Sequence, residues 1–168
     1  MVRDGIVLYG IYPSKDVRHE LPIKMALSWK AKISHIKEVP AGEGISYGST
    51  FVTKRLTRVA TIPGEYGDGY PRILSGKACV LISGVRCPIL GRVCMDQFMV
   101  DVSAFDHIAV GEKVTLLGED GKERISLEEL GRLSGRFNYE FACLLGNRRI
   151  PKVFHRKGQV VSVREDLR

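Results

Sequence analysis

Alternation of apolar and polar residues sets the strongest limit on what this chain can fold into. From Met25 onward, Leu27, Trp29, Ala31 and Ile33 interleave with Ser28, Lys30, Lys32 and Ser34. A spacing of two places every apolar side chain on one face of an extended strand, and that face must be covered. The pattern predicts a strand that runs until Pro40, which has no amide to give to a ladder. Similar runs recur at Arg58 to Ile62, Cys79 to Ile82, Val85 onward, Ile89 to Cys94, Phe98 to Val102, Lys113 to Leu117 and Val153 to Val163. Between them stand turn residues: Ala41-Gly42-Glu43-Gly44, Pro63-Gly64, Gly67-Asp68-Gly69-Tyr70-Pro71, Ser83-Gly84, Asp120-Gly121 and Lys157-Gly158, each suited to reversing the chain. Two loop positions stand out. Tyr47 follows the glycine-rich turn at 41–44, and Tyr66 is held among three glycines and two prolines, where connecting segments carry function more often than framework.

Helical signals are few. Ser126-Leu127-Glu128-Glu129 has the spacing of a capping box, and Gly135 suits the end of that helix. A second short helix is predicted over about Tyr139 to Leu145. The expected fold is mainly β, barrel-like or a folded sheet, with one or two short helices. Residues 1–24 do not share this style. Val2 to Tyr9 fits a strand and Pro13 through His19 a solvated connection, so residues 1–24 read as the end of a preceding unit plus a linker, and 25–168 as the β domain.

With 168 residues the chain suffices for one well-filled domain, not for an α/β barrel and a second domain together. No stretch approaches the roughly 20 consecutive apolar residues that span a bilayer, so no membrane partner is expected. The first residues carry an acidic neighbour and no small-residue cleavage site, which predicts a cytoplasmic address. Cys79, Cys87, Cys94 and Cys143 sit in apolar segments without C-x-x-C pairing, which predicts buried free thiols rather than disulfides or a metal site.

A net charge of +7 favours anionic partners without naming one. The densest group, Arg148, Arg149, Lys152, Arg156 and Lys157, suits a solvated edge, a nucleic-acid patch or a phosphate and carboxylate attractor. Single-stranded nucleic acid needs stacking aromatics beside a cationic groove. With 8% aromatic residues and no RNA-recognition signature, nucleic acid is not expected.

The order of four strings takes the reading further. Val2-Arg3-Asp4-Gly5-Ile6-Val7-Leu8-Tyr9-Gly10, Ser46-Tyr47-Gly48, Gly64-Glu65-Tyr66-Gly67-Asp68-Gly69-Tyr70-Pro71-Arg72 and Gly91-Arg92-Val93-Cys94-Met95-Asp96-Gln97 together resemble the alanine racemase family, from Arg3 to about Phe154. That resemblance implies an amino-terminal barrel that binds pyridoxal 5'-phosphate through a lysine, followed by a carboxyl-terminal β domain. It also implies a homodimer in which the β domain of one subunit faces the barrel of the other. No lysine of this chain matches the cofactor-binding one. The implied reaction interconverts L- and D-alanine for peptidoglycan synthesis, with a related serine racemase as the neighbouring possibility, and the fragment alone would be inactive.

By the same resemblance Tyr47 would be the second acid/base. Racemisation removes a proton from one face of the α-carbon and returns it to the other, so two groups must flank it. A phenol ordinarily ionises near pH ~10, so such a base needs cationic neighbours or a group that takes its proton in the same step. Tyr66 would bond substrate or cofactor. Met95 would offer its backbone amide to the substrate carboxylate, and Asp96 would steady that loop. Arg72 and Arg92 would line the access corridor and draw in a carboxylate. Arg3 would bond the pyridine nitrogen and, by keeping its own proton, restrain the ring from side reactions such as transamination. Gly5 and Ile6 would offer amides to the cofactor phosphate.

Without the family order, plainer readings stand beside these: a loop-anchoring Tyr47, a turn tyrosine at 66, core filler at Met95, a surface turn aspartate at 96, and surface arginines at 72 and 92. One string departs from the family. Where a phosphate-binding tyrosine usually precedes Arg-Val-Pro-Arg, this chain reads Leu145-Gly146-Asn147-Arg148-Arg149-Ile150-Pro151, with Asn147 or Arg148 nearest.

Overall fold

A computed structural model of the chain describes residues 1, 3–13, 22–64, 66–145 and 150–165. Its strands are β1 (Trp29–Lys32), β2 (His35–Val39), β3 (Gly44–Ile45), β4 (Phe51–Val52), β5 (Thr57–Pro63), β6 (Cys79–Ile82), β7 (Val85–Leu90), β8 (Gln97–Asp101), β9 (Lys113–Asp120), β10 (Glu123–Ile125), β11 (Lys152–Arg156) and β12 (Gln159–Arg164). The helices are α1 (Leu127–Ser134) and α2 (Asn138–Leu144). The main sheet runs β1-β9-β6-β7-β8-β5-β2, with β10 beside β9, and these neighbours pair antiparallel. The fold is mainly β, as the alternation predicts. The sheet is not closed, however: no ladder joins its edge strands β1 and β2 among the described residues, so the barrel expectation holds for the class and not for closure.

The single strand expected from Met25 to Pro40 is two strands. The amide of Ile33 donates to the Glu112 carbonyl at 2.9 Å, and the Ile33 carbonyl accepts from the Gly111 amide at 2.8 Å. One residue later the Ser34 amide and hydroxyl both donate to the Thr61 carbonyl, each at 3.0 Å. The chain therefore leaves β9 and joins β5 within a residue, and the side-chain alternation shifts phase there, with Ser34 and His35 both exposed and Ile36 the next covered residue.

Central strands are covered on both faces. In β6 Val80, Leu81 and Ile82 are fully buried, as are Val114, Leu116 and Leu117 in β9. Tyr70 lies at the centre of the aromatic core. It stacks on Phe98 with ring centroids 5.3 Å apart and meets Trp29 edge-on at 5.8 Å. Burial pushes its phenol well above the ordinary range, so the ring remains neutral.

Turn and cap chemistry matches expectation. Ser83 and Gly84 both have positive φ, 48° and 76°, as a two-residue hairpin turn requires. The Ser126 hydroxyl accepts from the Glu129 amide at 3.1 Å, and Gly135 closes α1 in the left-handed region. The Glu129 carboxylate accepts from Arg86 at 2.7 Å. Arg86 also donates to Glu123 at 2.8 Å and to the Arg124 carbonyl at 2.6 Å, so one guanidinium clamps β7, β10 and α1 together.

Near the amino end the strand expected over residues 2–9 is instead a 3-10 turn, Gly5–Tyr9. Gly10 explains why the chain bends there: its φ is 75°, and a Cβ on it would lie 1.8 Å from the Lys24 carbonyl oxygen. The Ala26 amide then bonds the Tyr9 carbonyl at 3.0 Å. Ile11 enters the main core, and Ile6 rests against it. At the other end β11 and β12 form the expected hairpin, which among the described residues pairs only with itself. No described helix is long and apolar enough to cross a membrane.

Candidate functional site

The excursion between β2 and β5 is closed at its stem by Thr53. Its hydroxyl donates to the Pro40 carbonyl at 2.5 Å and accepts from the Glu43 amide at 3.0 Å. Its amide donates to the Glu43 carbonyl at 3.0 Å, and its carbonyl accepts from the Gly42 amide at 2.8 Å. With the stem fixed, the short β3–β4 ladder lifts the apex, residues 46–50. Ser46, Gly48 and Ser49 all have positive φ, 68°, 72° and 46°, around a Tyr47 that is 75% exposed. The phenol stands on the surface and not in the domain's own core.

Facing the apex is the loop from Gly91 to Asp96 between β7 and β8. Gly91, with φ of 70°, is the point of closest approach: a Cβ there would lie 2.6 Å from the Ile45 carbonyl oxygen. The Ser46 hydroxyl donates to the Arg92 carbonyl at 2.9 Å and lies 3.2 Å from the Cys94 sulfur. The Cys94 amide donates to the Gln97 carbonyl at 3.0 Å, turning the loop so that Met95 and Asp96 are exposed. Tyr47, Met95 and Asp96 thereby share one open cleft with Ser46, Gly48 and Cys94.

Arg72 and Arg92 meet in a neighbouring open cleft with Ile73 and Ser75. Ser75 makes that meeting possible. Its hydroxyl bonds the Arg72 carbonyl and accepts from the Val93 amide at 2.9 Å, tying the turn at Arg72–Leu74 to the Arg92 loop. The Arg92 guanidinium also reaches toward the apex, where a Cβ on Gly48 would sit 3.6 Å from its central carbon.

The other nominated residues lie elsewhere. Tyr66 is half-exposed in the 3-10 turn Tyr66–Asp68, and its carbonyl accepts from the Gly69 amide at 3.3 Å. It does not line the Tyr47 cleft. Neither do Arg3, Gly5 and Ile6, which belong to the amino-terminal turn. Asn147 and Arg148 fall outside the described residues, as does Arg149. A wider cleft between Gly10 to Pro13 and the α1–α2 turn contains none of the nominated residues. Sequence reasoning gave no role to Ser46, Gly91 or Ser75. The first two stand inside quoted strings, but their work is done by backbone angle and close approach, which the strings do not display.

All four cysteines are free, but only Cys87 is fully buried; Cys79 and Cys94 are half-buried and Cys143 is exposed. The expectation of buried thiols thus holds for one residue, because the start of β6, the loop between β7 and β8 and the α2 surface leave the others near solvent. Burial pushes the Cys87 thiol from 9.0 up to about 12. Its raised value means that the folded state holds the proton more tightly than the unfolded one, so this group's contribution to stability is lost as pH rises from about 9 toward 12. Iodoacetamide at pH about 8.5 should label Cys143 and leave Cys87 unmodified in the folded protein, with peptide mass spectrometry as the check. Rapid labelling of Cys87 without unfolding would contradict its burial.

The sequence model described as "Alanine racemase, C-terminal domain" matches residues 26–154. The alanine racemase of Halothermothrix orenii is 46% identical over 157 residues, covering 94% of this chain and 41% of the relative. That of Methanococcus maripaludis is 45% identical, covering 92% and 41%. Among solved structures, alanine racemase from Bacillus anthracis with bound L-Ala-P superposes with a TM-score of 0.89 at 44% identity, covering 96% of this chain and 41% of that one. The alanine racemase of Clostridium difficile in complex with cycloserine gives 0.88 at 40% identity, covering 97% and 42%. The chain spans about 41% of the length of these curated relatives.

Proposed function

The chain belongs to the alanine racemase family, and from that premise we propose that it forms one side of a divided active site interconverting L- and D-alanine, a reaction of cell-wall precursor supply in the cytoplasm. Residues 1–24 are then the end of a barrel domain and its linker, and the facing side comes from the barrel of a second subunit in a homodimer. The observation that carries this reading is the exposed Tyr47 on a cleft shared with Met95 and Asp96. A phenol that serves a partner's site must stand outside its own domain's core.

The roles follow from the surfaces presented. Tyr47 holds or takes a proton at its hydroxyl on one face of the α-carbon, and an amine from the partner side acts on the other. Met95 directs its main-chain amide to the substrate carboxylate, and Asp96 steadies the loop that carries it. Arg72 and Arg92, brought together by Ser75, attract the carboxylate and narrow the approach. Tyr66 bonds the substrate from its own turn.

Pyridoxal phosphate, when bound, supplies the electron-withdrawing ring that makes the α-proton removable. The amino-terminal turn fits a share of its contacts. Gly5 has φ of 57° with nothing within 4 Å of a would-be Cβ, Arg3 is exposed, and the first amides of a 3-10 turn have no acceptor within it. Arg3 would hold the ring nitrogen, and Gly5 and Ile6 the phosphate.

The test compares this chain by itself with the chain joined to a lysine-bearing amino-terminal domain. With pyridoxal phosphate, the chain alone should show no change in cofactor absorbance and no racemisation, and the joined polypeptide should racemise alanine. Robust racemisation by the chain alone, or its absence after joining, would overturn the reading. Faster turnover of serine than of alanine would overturn the substrate assignment alone.

A further inference from the structure

We propose that Ser46 is a positioning residue for Tyr47: its backbone angle and its hydroxyl bond to the Arg92 carbonyl set the direction of the phenol relative to the loop that carries Met95. The inference rests on the acid/base reading of Tyr47 given above.

Ser46 has φ of 68° and ψ of 178°. That combination belongs almost entirely to glycine, and a residue with a Cβ keeps it only where its surroundings over-determine it. A glycine at this position would relieve the strain at once. What serine adds is an oxygen, and that oxygen is fully employed: it donates to the Arg92 carbonyl at 2.9 Å and lies 3.2 Å from the Cys94 sulfur. Both partners belong to the loop that presents Met95 and Asp96. On the other side of Ser46, the buried Ile45 is pressed against Gly91, where a Cβ would come within 2.6 Å of the Ile45 carbonyl oxygen and 2.9 Å of the Ser46 Cβ. The chain is pinned on both sides of one disfavoured turn, and the next residue is Tyr47.

The strain therefore does two things. It reverses the chain so that the phenol points out of the domain, and it couples the phenol's position to the Met95 amide through a single serine. If the amide holds the carboxylate and the phenol faces the α-carbon, the distance between them has to be kept while a substrate is bound. Ser46 is not needed to hold the excursion itself, because the Thr53 bonds close its stem independently.

The experiment uses three variants, S46G, S46A and Y47F, in this chain and in the chain joined to a lysine-bearing amino-terminal domain. In the chain alone, ring-labelled tyrosine NMR should show one narrow Tyr47 signal for the natural sequence. S46G and S46A should give broadened or multiple signals, with the thermal midpoint shifted by no more than a few degrees. In the joined enzyme both should lower kcat about tenfold to a hundredfold with KM within about twofold. They should also raise the isotope effect for α-deuterated substrate in one direction only, the direction in which Tyr47 takes the proton. A purely structural serine would leave the isotope effects of the two directions equal and lower the midpoint. If Y47F abolishes racemisation while S46G and S46A match the natural sequence in NMR and isotope effect, the positioning role is refuted and the acid/base reading stands. If Y47F remains active, the acid/base reading itself falls, and the inference with it.

Discussion

Replacing Tyr47 by phenylalanine should lower racemisation by the joined enzyme about 10²- to 10⁴-fold, the usual worth of a positioned acid/base group. Only the hydroxyl is lost. The ring is 75% exposed, so the change removes no core contact, and the unfolding midpoint should stay within about one degree. The two-sided logic makes the loss directional. The partner's amine still reaches one face of the α-carbon, so one enantiomer should exchange its α-proton with solvent deuterium without inverting, and the other should not exchange. Proton NMR of each enantiomer in D2O reads this directly. Exchange of both enantiomers at the natural rate would show that another group serves the Tyr47 face.

Phe98→Ala should cost about 3–5 kcal/mol in stability, read from urea unfolding of the chain by itself. Phe98 is fully buried and stacks on Tyr70 at 5.3 Å. It pairs across the sheet with Ile62, and its ring edge lies close to Gly64, where a Cβ would sit 3.3 Å away. A void here has several fixed walls, so little relaxation can refill it. The consequence reaches the cleft, because Phe98 follows directly on Met95-Asp96-Gln97 and anchors the start of β8. Leucine at this position should recover more than half of the lost stability. A loss under about 1 kcal/mol for the alanine variant would show that the aromatic stack is not a principal support of the domain.

What could be read from the sequence was whatever neighbouring residues decide among themselves. Ser83-Gly84 sets its own turn, Ser126 caps its own helix, and the alternation in β5 and β8 assigns faces without reference to the rest of the chain. The break after Ile33 was invisible because it is decided by Glu112 and Thr61, two distant acceptors, one just before β9 and one in β5. The bend at Gly10 is likewise imposed by Lys24. At the site, the order of short strings singled out Tyr47, Met95, Asp96, Arg72 and Arg92, and the cleft linings group the first three and the last two. Ser46 and Ser75 escaped because a serine's partners depend on which loop lies opposite. The cysteine reading failed in part because an apolar sequence neighbourhood does not fix the depth of a strand end.

The pairing of β1 with β9 also has a cost in time. Lys30 bonds Thr115 at 2.7 Å across a separation of 85 residues, and Trp29, buried in the finished domain, sits on that same early strand. During synthesis at about 5–20 residues per second, this hydrophobic stretch emerges from the ribosome several seconds before its neighbour exists. The nascent polypeptide must shelter it meanwhile, and maturation waits until β9 has been made.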